Sequence, residues 1–167
     1  MNFPLLPVAV TDDLTDLTPE YLQENGIRLL MLDFDNTIVP YTTNEPTEQM
    51  HQWLDRMRTS QVQLCVVSNS RKDRVKDFCQ KYQIPCITHA AKPFSKGILR
   101  CIAQYQMPKE ACAFVGDQIY TDTLGANLAG VRSILVRSIH NHTWFLKARH
   151  VLEMPFVLMA KNRRIAK

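Results

Sequence analysis

The stretch IRLLMLDFDNT, residues 27–37, decides the fold that we predict for this chain. Its first six residues are nearly all apolar without alternation, which is typical of a strand covered on both faces in a parallel sheet. The strand ends where the acidic residues Asp33 and Asp35 begin. Because residues two apart in extended chain face the same way, we expect both carboxylates side by side at an edge of the sheet.

Strands and helices alternate outward from this stretch. Thr18-Pro19-Glu20 predicts the start of a short helix that Gly26 ends. Further strands are predicted at 62–67, 86–88, 113–115 and 133–136, with amphipathic helices between them, including about 71–83 and 122–129. This alternation predicts an α/β fold, a doubly wound, mostly parallel, Rossmann-like sheet with its ligand site at the carboxyl ends of the strands.

Composition indicates a single globular domain over residues 1–167, with 46% hydrophobic and 22% charged residues. No run approaches the ~20 apolar residues of a membrane span, and the opening ten residues lack the positive charge of a signal peptide. We therefore expect a cytoplasmic protein. The five cysteines form no C-x-x-C pair and are interpreted as buried reduced thiols rather than zinc ligands.

Polar residues follow the predicted strands and should converge on one cleft. They are Asp33, Asp35, Ser68, Asn69, Lys92, Asp117 and Asp122. Several carboxylates in one place repel each other unless a cation offsets them, and hard oxygen ligands of this kind suit Mg²⁺. The sequence therefore predicts a magnesium site.

The order of these residues resembles the four motifs of the haloacid dehalogenase (HAD) superfamily. The matching segments are Asp33-Phe34-Asp35-Asn36-Thr37, Ser68, Lys92-Pro93 and Gly116-Asp117-Gln118-Ile119-Tyr120-Thr121-Asp122. Each motif alone is weak, but four in order at the ends of predicted parallel strands are specific. The details look most like the YqeG-like branch of subfamily IIIA, which includes phosphatidylglycerophosphate phosphatases.

The resemblance implies a Mg²⁺-dependent phosphomonoester hydrolase that works through an aspartyl-phosphate. Asp33 would attack phosphorus, and Asp35 would protonate the leaving oxygen and later deprotonate water. The Asp33 and Asp117 carboxylates and the Asp35 backbone carbonyl would hold Mg²⁺. Asp122 would be a further ligand through water or would orient Lys92.

The resemblance also implies the residues that bind phosphate. Ser68, Asn69 and Lys92 would contact the phosphate oxygens, and Thr37 would support the first motif. The segments between these motifs are filled by the predicted loops, helices and strands, which leaves no room for a sizeable cap domain. An open cleft suits a bulky phosphorylated substrate, and phosphatidylglycerophosphate is our expectation.

The C-terminal segment, residues 138–167, is basic. Residues 131–167 hold eight Lys or Arg against one acidic residue. Two interpretations stay open: a last helix that packs on the sheet, or peripheral contact with an anionic phospholipid surface at the inner face of the membrane. Pro155 interrupts any single long helix there, and His140, His142 and His150 are interpreted as surface residues rather than metal ligands.

Two other functions, a receiver-like domain and a nucleic-acid-binding module, are compatible with parts of the sequence. A phosphoacceptor receiver-like domain uses similar residues, but the late Gly116-Asp117 motif follows the lysine, which disfavours it. A nucleic-acid-binding module using the basic segment is a further alternative, although the sparse aromatic residues there disfavour a nucleic-acid partner. The run from Arg71 to Asp77, including Arg74, is interpreted as a solvated helix face, with Arg71 near the cleft.

Overall fold

A six-stranded parallel sheet organises the protein. The computed structural model describes residues 4–71, 73–139 and 154–165. The strands are β1 (Ala9–Thr11), β2 (Leu29–Leu32), β3 (Gln63–Val67), β4 (Cys86–Ile87), β5 (Cys112–Gly116) and β6 (Arg132–Val136). Their order across the sheet is β1-β6-β5-β2-β3-β4, and every pairing is parallel. The predicted α/β class and the predicted parallel sheet are thus confirmed.

Helices connect the strands on both faces of the sheet. They are α1 (Pro19–Glu24), α2 (Glu48–Arg58), α3 (Asp73–Lys81), α4 (Lys96–Tyr105) and α5 (Leu124–Ala129). Short 3₁₀ turns lie at Leu14–Asp16, Lys109–Ala111 and Lys161–Arg163. The chain between β2 and β3 forms a loop and α2, and α3 occupies the connection from β3 to β4.

The central strand β2 lies within the apolar stretch 27–32. All four of its residues are buried. Leu30 and Leu32 pack with side chains of α2 and α3, whereas Leu29 and Met31 pack with those of α4 and α5 on the other face. Because both faces are covered by helices, the strand carries no polar side chain until it ends at Asp33.

Helix α2 shows how local sequence signals produce a core element. The Thr47 hydroxyl caps its N-terminus by accepting a hydrogen bond from Met50 N at 3.2 Å. Its apolar residues Met50, Trp53, Leu54 and Met57 recur at helical spacing and are buried. Trp53 Nε1 also donates to the Leu17 carbonyl at 2.9 Å, which joins α2 to the segment before α1.

Two elements differ from the sequence-based expectation. Strand β1 was not predicted, because three residues are too few to establish a period, yet Val10 pairs with Leu135 at the edge of the sheet. The helix expected over 122–129 was also wrong in its start. A π-helical turn at Ile119–Thr123 precedes α5, which starts at Leu124.

The C-terminal residues 154–165 return to the β1 edge. Residues 154–159 are helical, Ile165 N donates to the Val10 carbonyl at 2.9 Å, and Ala160 is fully buried beside Val10, Ile119 and Leu135. Residues 154–165 therefore pack on the edge of the sheet, and contact of the basic segment with lipid stays a prediction. The expectations for His140, His142 and His150 concern residues outside the described parts of the chain. Within the described parts of the chain, no helix has the length and apolar character needed to cross a membrane.

Candidate active site at the carboxyl edge of the sheet

The parallel strands bring their polar following residues to one edge of the sheet. Asp33 follows β2, Ser68 follows β3 and Asp117 follows β5, while Lys92 lies in the loop after β4. These four side chains are at most 7% exposed. A crevice of about 110 Å³ opens there, lined by Asp33, Asp35, Ser68, Asn69, Ser70, Lys92, Gln118, Thr121 and Asp122. Residues separated by up to 89 positions in the chain therefore share one small polar space.

Lys92 forms the centre of this cluster. Its Nζ lies 2.6 Å from Asp33 Oδ1 and 2.8 Å from Asp122 Oδ1, and 4.9 Å from the centroid of the Phe114 ring. Burial disfavours the charged ammonium, but the carboxylates of Asp122 and Asp33 outweigh that effect and raise the pKa of Lys92. Lys92 therefore remains a cation across the physiological pH range.

Asp122 is held in the cluster by the turn that precedes α5. Its carboxylate accepts hydrogen bonds from Gln118 N at 3.1 Å and from the Thr121 hydroxyl at 3.3 Å. Burial raises the pKa of Asp122 to about 6, against the opposing effect of Lys92. Gly116 makes room for this carboxylate, because a Cβ at position 116 would overlap it.

Asn69 holds the backbone of Lys92. Its Nδ2 donates to the Lys92 carbonyl at 2.9 Å, and its Oδ1 accepts from Lys92 N at 2.7 Å. The Ser68 hydroxyl accepts from Ser70 N at 3.1 Å. The structure thus gives Asn69 a lysine-positioning contact, and its expected role in binding phosphate stays a prediction, as does that of Ser68.

The loop after β2 places Asp35 on the crevice wall. Ile38 N donates to the Phe34 carbonyl at 3.0 Å, and Asn36, with φ of 60°, donates from its N to Val39 O at 2.7 Å. This tight turn buries Thr37, which is 1% exposed. Asp35 Oδ1 lies 2.9 Å from Arg74 Nη1 on α3.

The net negative charge of the cluster favours binding of a divalent cation. Four carboxylates, those of Asp33, Asp35, Asp117 and Asp122, are accompanied by the paired cations Lys92 and Arg74, which leaves an excess of two negative charges. Oxygens of Asp33, Asp117 and Asp122 all lie within 4.8 Å of one another. Two oxygens bound to one Mg²⁺ are at most ~4.2 Å apart, so small side-chain movements would let these residues share an ion.

Comparisons with known proteins agree with the motif order. The family described as "HAD-hyrolase-like" matches residues 89–150. The chain is 33% identical over 141 residues to the probable phosphatase YqeG of Bacillus subtilis, covering 84% of this chain and 82% of that protein. This chain belongs to the haloacid dehalogenase superfamily. Within it, the chain is a YqeG-like phosphatase, which confirms the resemblance based on the four motifs.

Solved structures show the same fold at low sequence identity. A hypothetical protein of Xanthomonas campestris aligns with a TM-score of 0.57 and 17% identity over 91% of this HAD chain and 93% of its own. The cobalt-bound deoxy-D-mannose-octulosonate 8-phosphate phosphatase of Haemophilus influenzae aligns with a TM-score of 0.54 and 12% identity, over 84% and 92% of the two chains. At these identities the likeness concerns the fold alone.

One contact in the crevice of this HAD chain was missed from sequence. Arg74 was interpreted as part of a solvated face, and that was wrong, since its side chain is only 13% exposed and is paired with Asp35. Arg74 lies in a run of mixed charges, which is typical of a solvated helix face. Its neighbours Asp73 and Lys76 do follow that pattern, with 85% and 58% of their side chains exposed. Its place one residue into α3, close after the Ser68 motif, was the available signal.

The carboxylates that the structure groups together differ in one residue from the expected metal ligands. The three grouped carboxylates are those of Asp33, Asp117 and Asp122, whereas the expected direct ligands were Asp33, Asp117 and the backbone of Asp35. Asp122 contacts Lys92 directly, which is one of the two roles that the resemblance implied for it. Both roles are compatible with its position between the ammonium and the other carboxylates.

Proposed function

We propose that this HAD phosphatase is a Mg²⁺-dependent phosphomonoester hydrolase that forms an aspartyl-phosphate on Asp33. The observation that carries the proposal is the pairing of a 5% exposed Asp33 with Lys92 at 2.6 Å in a crevice that Asp35 also lines. A fixed carboxylate beside an ammonium suits nucleophilic attack on a dianionic phosphate, because the cation offsets the repulsion between the two anions.

The proposed reaction has two displacements. A carboxylate oxygen of Asp33 forms a bond to phosphorus, while the bond from phosphorus to the ester oxygen breaks and that oxygen takes a proton from Asp35. Asp35 then removes a proton from water, whose oxygen attacks phosphorus and releases inorganic phosphate and the Asp33 carboxylate. The Lys92 ammonium and the Ser68 hydroxyl would contact the transferring phosphoryl group, and Asn69 would hold Lys92 in place.

The residues present fit a divalent ion. The carboxylates of Asp33 and Asp117 and the backbone carbonyl of Asp35 would hold it, with Asp122 beside them. When bound, Mg²⁺ supplies electrostatic stabilisation of the phosphate oxygens and lessens the repulsion among the carboxylates. The excess of two negative charges in the described cluster supports this part of the proposal.

The first experiment measures phosphate release from an aryl phosphate, with and without Mg²⁺. Asp33→Asn should lower the rate by about 10⁴-fold or more, because the nucleophile is lost while the shape of the side chain is kept. Asp73→Asn, an exposed acidic residue of α3, is the matched control and should keep the wild-type rate. Equal rates for Asp33→Asn and the wild type would refute the nucleophile assignment.

We further propose a bulky phosphorylated substrate, best represented by phosphatidylglycerophosphate, met at the cytoplasmic face of an anionic membrane. The β2–β3 and β3–β4 connections are occupied by single helices, so the crevice is approached without an inserted domain there. Exposed apolar side chains support contact with lipid. Tyr41 and Phe94 in the loops after β2 and β4 are 51% and 74% exposed, and Leu158 and Met159 of the C-terminal helix are 62% and 63% exposed.

A substrate panel and vesicle binding test this part separately. Hydrolysis of phosphatidylglycerophosphate should exceed that of soluble glycerol phosphates and sugar phosphates at equal concentration. Leu158→Gln should weaken binding to anionic vesicles, whereas Leu128→Gln, which is 58% exposed beside the amino-terminal start of β6, should leave it unchanged. Faster turnover of soluble sugar phosphates would refute the lipid substrate and leave the reaction chemistry intact.

A further inference from the structure

Arg74 joins the wall of the crevice to the loop that follows β2. Its Nη1 lies 2.9 Å from Asp35 Oδ1 and donates to the Tyr41 carbonyl at 2.7 Å. Its Nη2 donates to the carbonyls of Pro40 at 3.2 Å and Thr43 at 2.6 Å. Its Nε donates to Asn44 Oδ1 at 2.8 Å. Every nitrogen of the guanidinium is therefore engaged either with Asp35 or with residues 40–44.

Aromatic contacts fix the plane of the same guanidinium. Its central carbon lies 5.1 Å from the centroid of Phe34, which is fully buried, and 5.7 Å from that of Tyr41. Phe34 in turn packs edge-on against Phe78 of α3 at 5.2 Å. A planar fork with five donors can bridge these partners at once, whereas a lysine ammonium can reach few of them.

The ion pair restricts Asp35 without covering it. Oδ1 is buried and faces Arg74, so the 21% exposure of this side chain belongs to its other atoms. Asp35 also lines the crevice beside Asp33 and Lys92. The guanidinium is thus ion-paired with one carboxyl oxygen of a side chain that also lines the crevice.

We propose that Arg74 is a positioning residue that fixes the carboxyl group of Asp35 for proton transfer to the leaving oxygen. The inference rests on the proposed function, because it assumes that Asp35 is the general acid. Proton transfer needs the carboxyl oxygen within hydrogen-bond reach of the leaving oxygen. An error of about 1 Å in such a placement can lower a rate by ~10²-fold.

Substrates with different leaving groups separate this role from simple anchoring of residues 40–44. Dinitrophenyl phosphate expels a stable anion that needs no proton, whereas an alkyl phosphate expels an alkoxide that does. Arg74→Gln should therefore lower kcat/KM for an alkyl phosphate by ~10²-fold and for dinitrophenyl phosphate by less than ~3-fold. The value of kcat/KM depends only on the steps up to the first displacement. Slow hydrolysis of the phosphoenzyme therefore does not mask the difference between the two substrates.

Three further variants keep the test decisive. Arg74→Lys retains one positive charge but not the fork, and it should also lose activity selectively on the alkyl phosphate. In an Asp35→Asn background, Arg74→Gln should produce no additional loss on the alkyl phosphate, because both changes remove the same proton transfer. Lys76→Gln, on the same helix and 58% exposed, is the control and should leave kcat/KM unchanged for both substrates.

The possible outcomes distinguish the inference from the function on which it rests. Equal losses on both substrates for Arg74→Gln and Arg74→Lys would show that Arg74 only anchors the loop, and would overturn the inference. Additive losses with Asp35→Asn would overturn it as well. Undiminished hydrolysis by Asp33→Asn would instead refute the proposed function. Thermal unfolding of each variant shows whether a loss of activity follows a loss of folded protein.

Discussion

Two ion pairs near the ends of parallel strands differ sharply in their surroundings. Lys92 and Asp33 lie in the central crevice with side chains 2% and 7% exposed, whereas Arg164 and Asp12 lie at the β1 edge, 57% and 42% exposed. Buried charges depend on each other because water cannot replace a missing partner, while exposed ones are solvated either way. Charge pairing therefore organises the polar crevice at the carboxyl ends of the strands, whereas apolar contacts hold the C-terminal residues at the β1 edge.

The largest expected effect is that of Lys92→Met. Removal of the ammonium leaves the carboxylates of Asp33 and Asp122 facing each other without their shared partner. We expect a loss of about 3–5 kcal/mol in the free energy of unfolding without added metal, measured by urea denaturation. Lys76→Met is the exposed control and should change the stability by less than ~0.5 kcal/mol. A loss below ~1 kcal/mol for Lys92→Met would remove the contrast between the two pairs.

A smaller loss is expected when a charge is placed in the apolar edge. Ala160→Asp would bury an unpaired carboxylate beside Val10 and Leu135, and should lower the free energy of unfolding by about 2–4 kcal/mol. Met159→Asp, at an exposed neighbouring position, should stay within ~0.5 kcal/mol. The hydrolysis rate per folded molecule of Ala160→Asp should remain within about twofold of the wild-type rate. If activity fell much further than stability, the edge would be coupled to the site.

Mg²⁺ should stabilise the centre and not the edge. An ion that binds the folded protein alone raises the free energy of unfolding by about 2.7 kcal/mol at one hundred times its dissociation constant. Asp117→Asn should reduce this gain, because it removes one of the three grouped carboxylates, whereas Met159→Asp should preserve it. Thermal unfolding with and without Mg²⁺ measures both. A gain unaltered by Asp117→Asn would place the ion elsewhere.

The smallest effect is expected at the exposed pair. Arg164→Gln should change the free energy of unfolding by less than ~1 kcal/mol, because solvent and salt screen the attraction between Arg164 and Asp12. Denaturation at low and high ionic strength checks this, since the difference from wild type should shrink as salt is added. A loss comparable to that of Lys92→Met would show that the edge pair is more than a surface contact.

The central elements could be predicted because their signals are local. Leu29 to Leu32 are apolar on both faces, so the strand is recognisable within a few residues, and Asp33 follows it directly. Parallel strands end at one edge of a sheet, so the order of strands and acidic residues also predicted that Ser68, Lys92 and Asp117 would meet there. Helix α2 was predictable for the same local reason, from the spacing of its apolar residues.

Other features depend on contacts between residues far apart in the chain. Strand β1 has three residues and is stabilised by its pairing with β6. The role of Arg74 follows from the path of residues 40–44, which brings their carbonyls to its guanidinium. The contact of the Asn69 amide with the backbone of Lys92 follows from the path of the loop after β4. The pairing of β1 and the contacts of Asn69 leave no period or spacing in the sequence, and the position of Arg74 close after the Ser68 motif does not show which partners it meets.

The sequence by itself determined the α/β fold, the order of the strands' polar ends and the family to which the chain belongs. Each of these depends on hydrophobic patterns and residue types within short segments. Only the tertiary structure decided which charges pair, where the C-terminal residues 154–165 pack, and how Asp35 is held. The physical reason is that hydrogen bonds and ion pairs require placement to within a fraction of an ångström, and the paths of the loops set that placement.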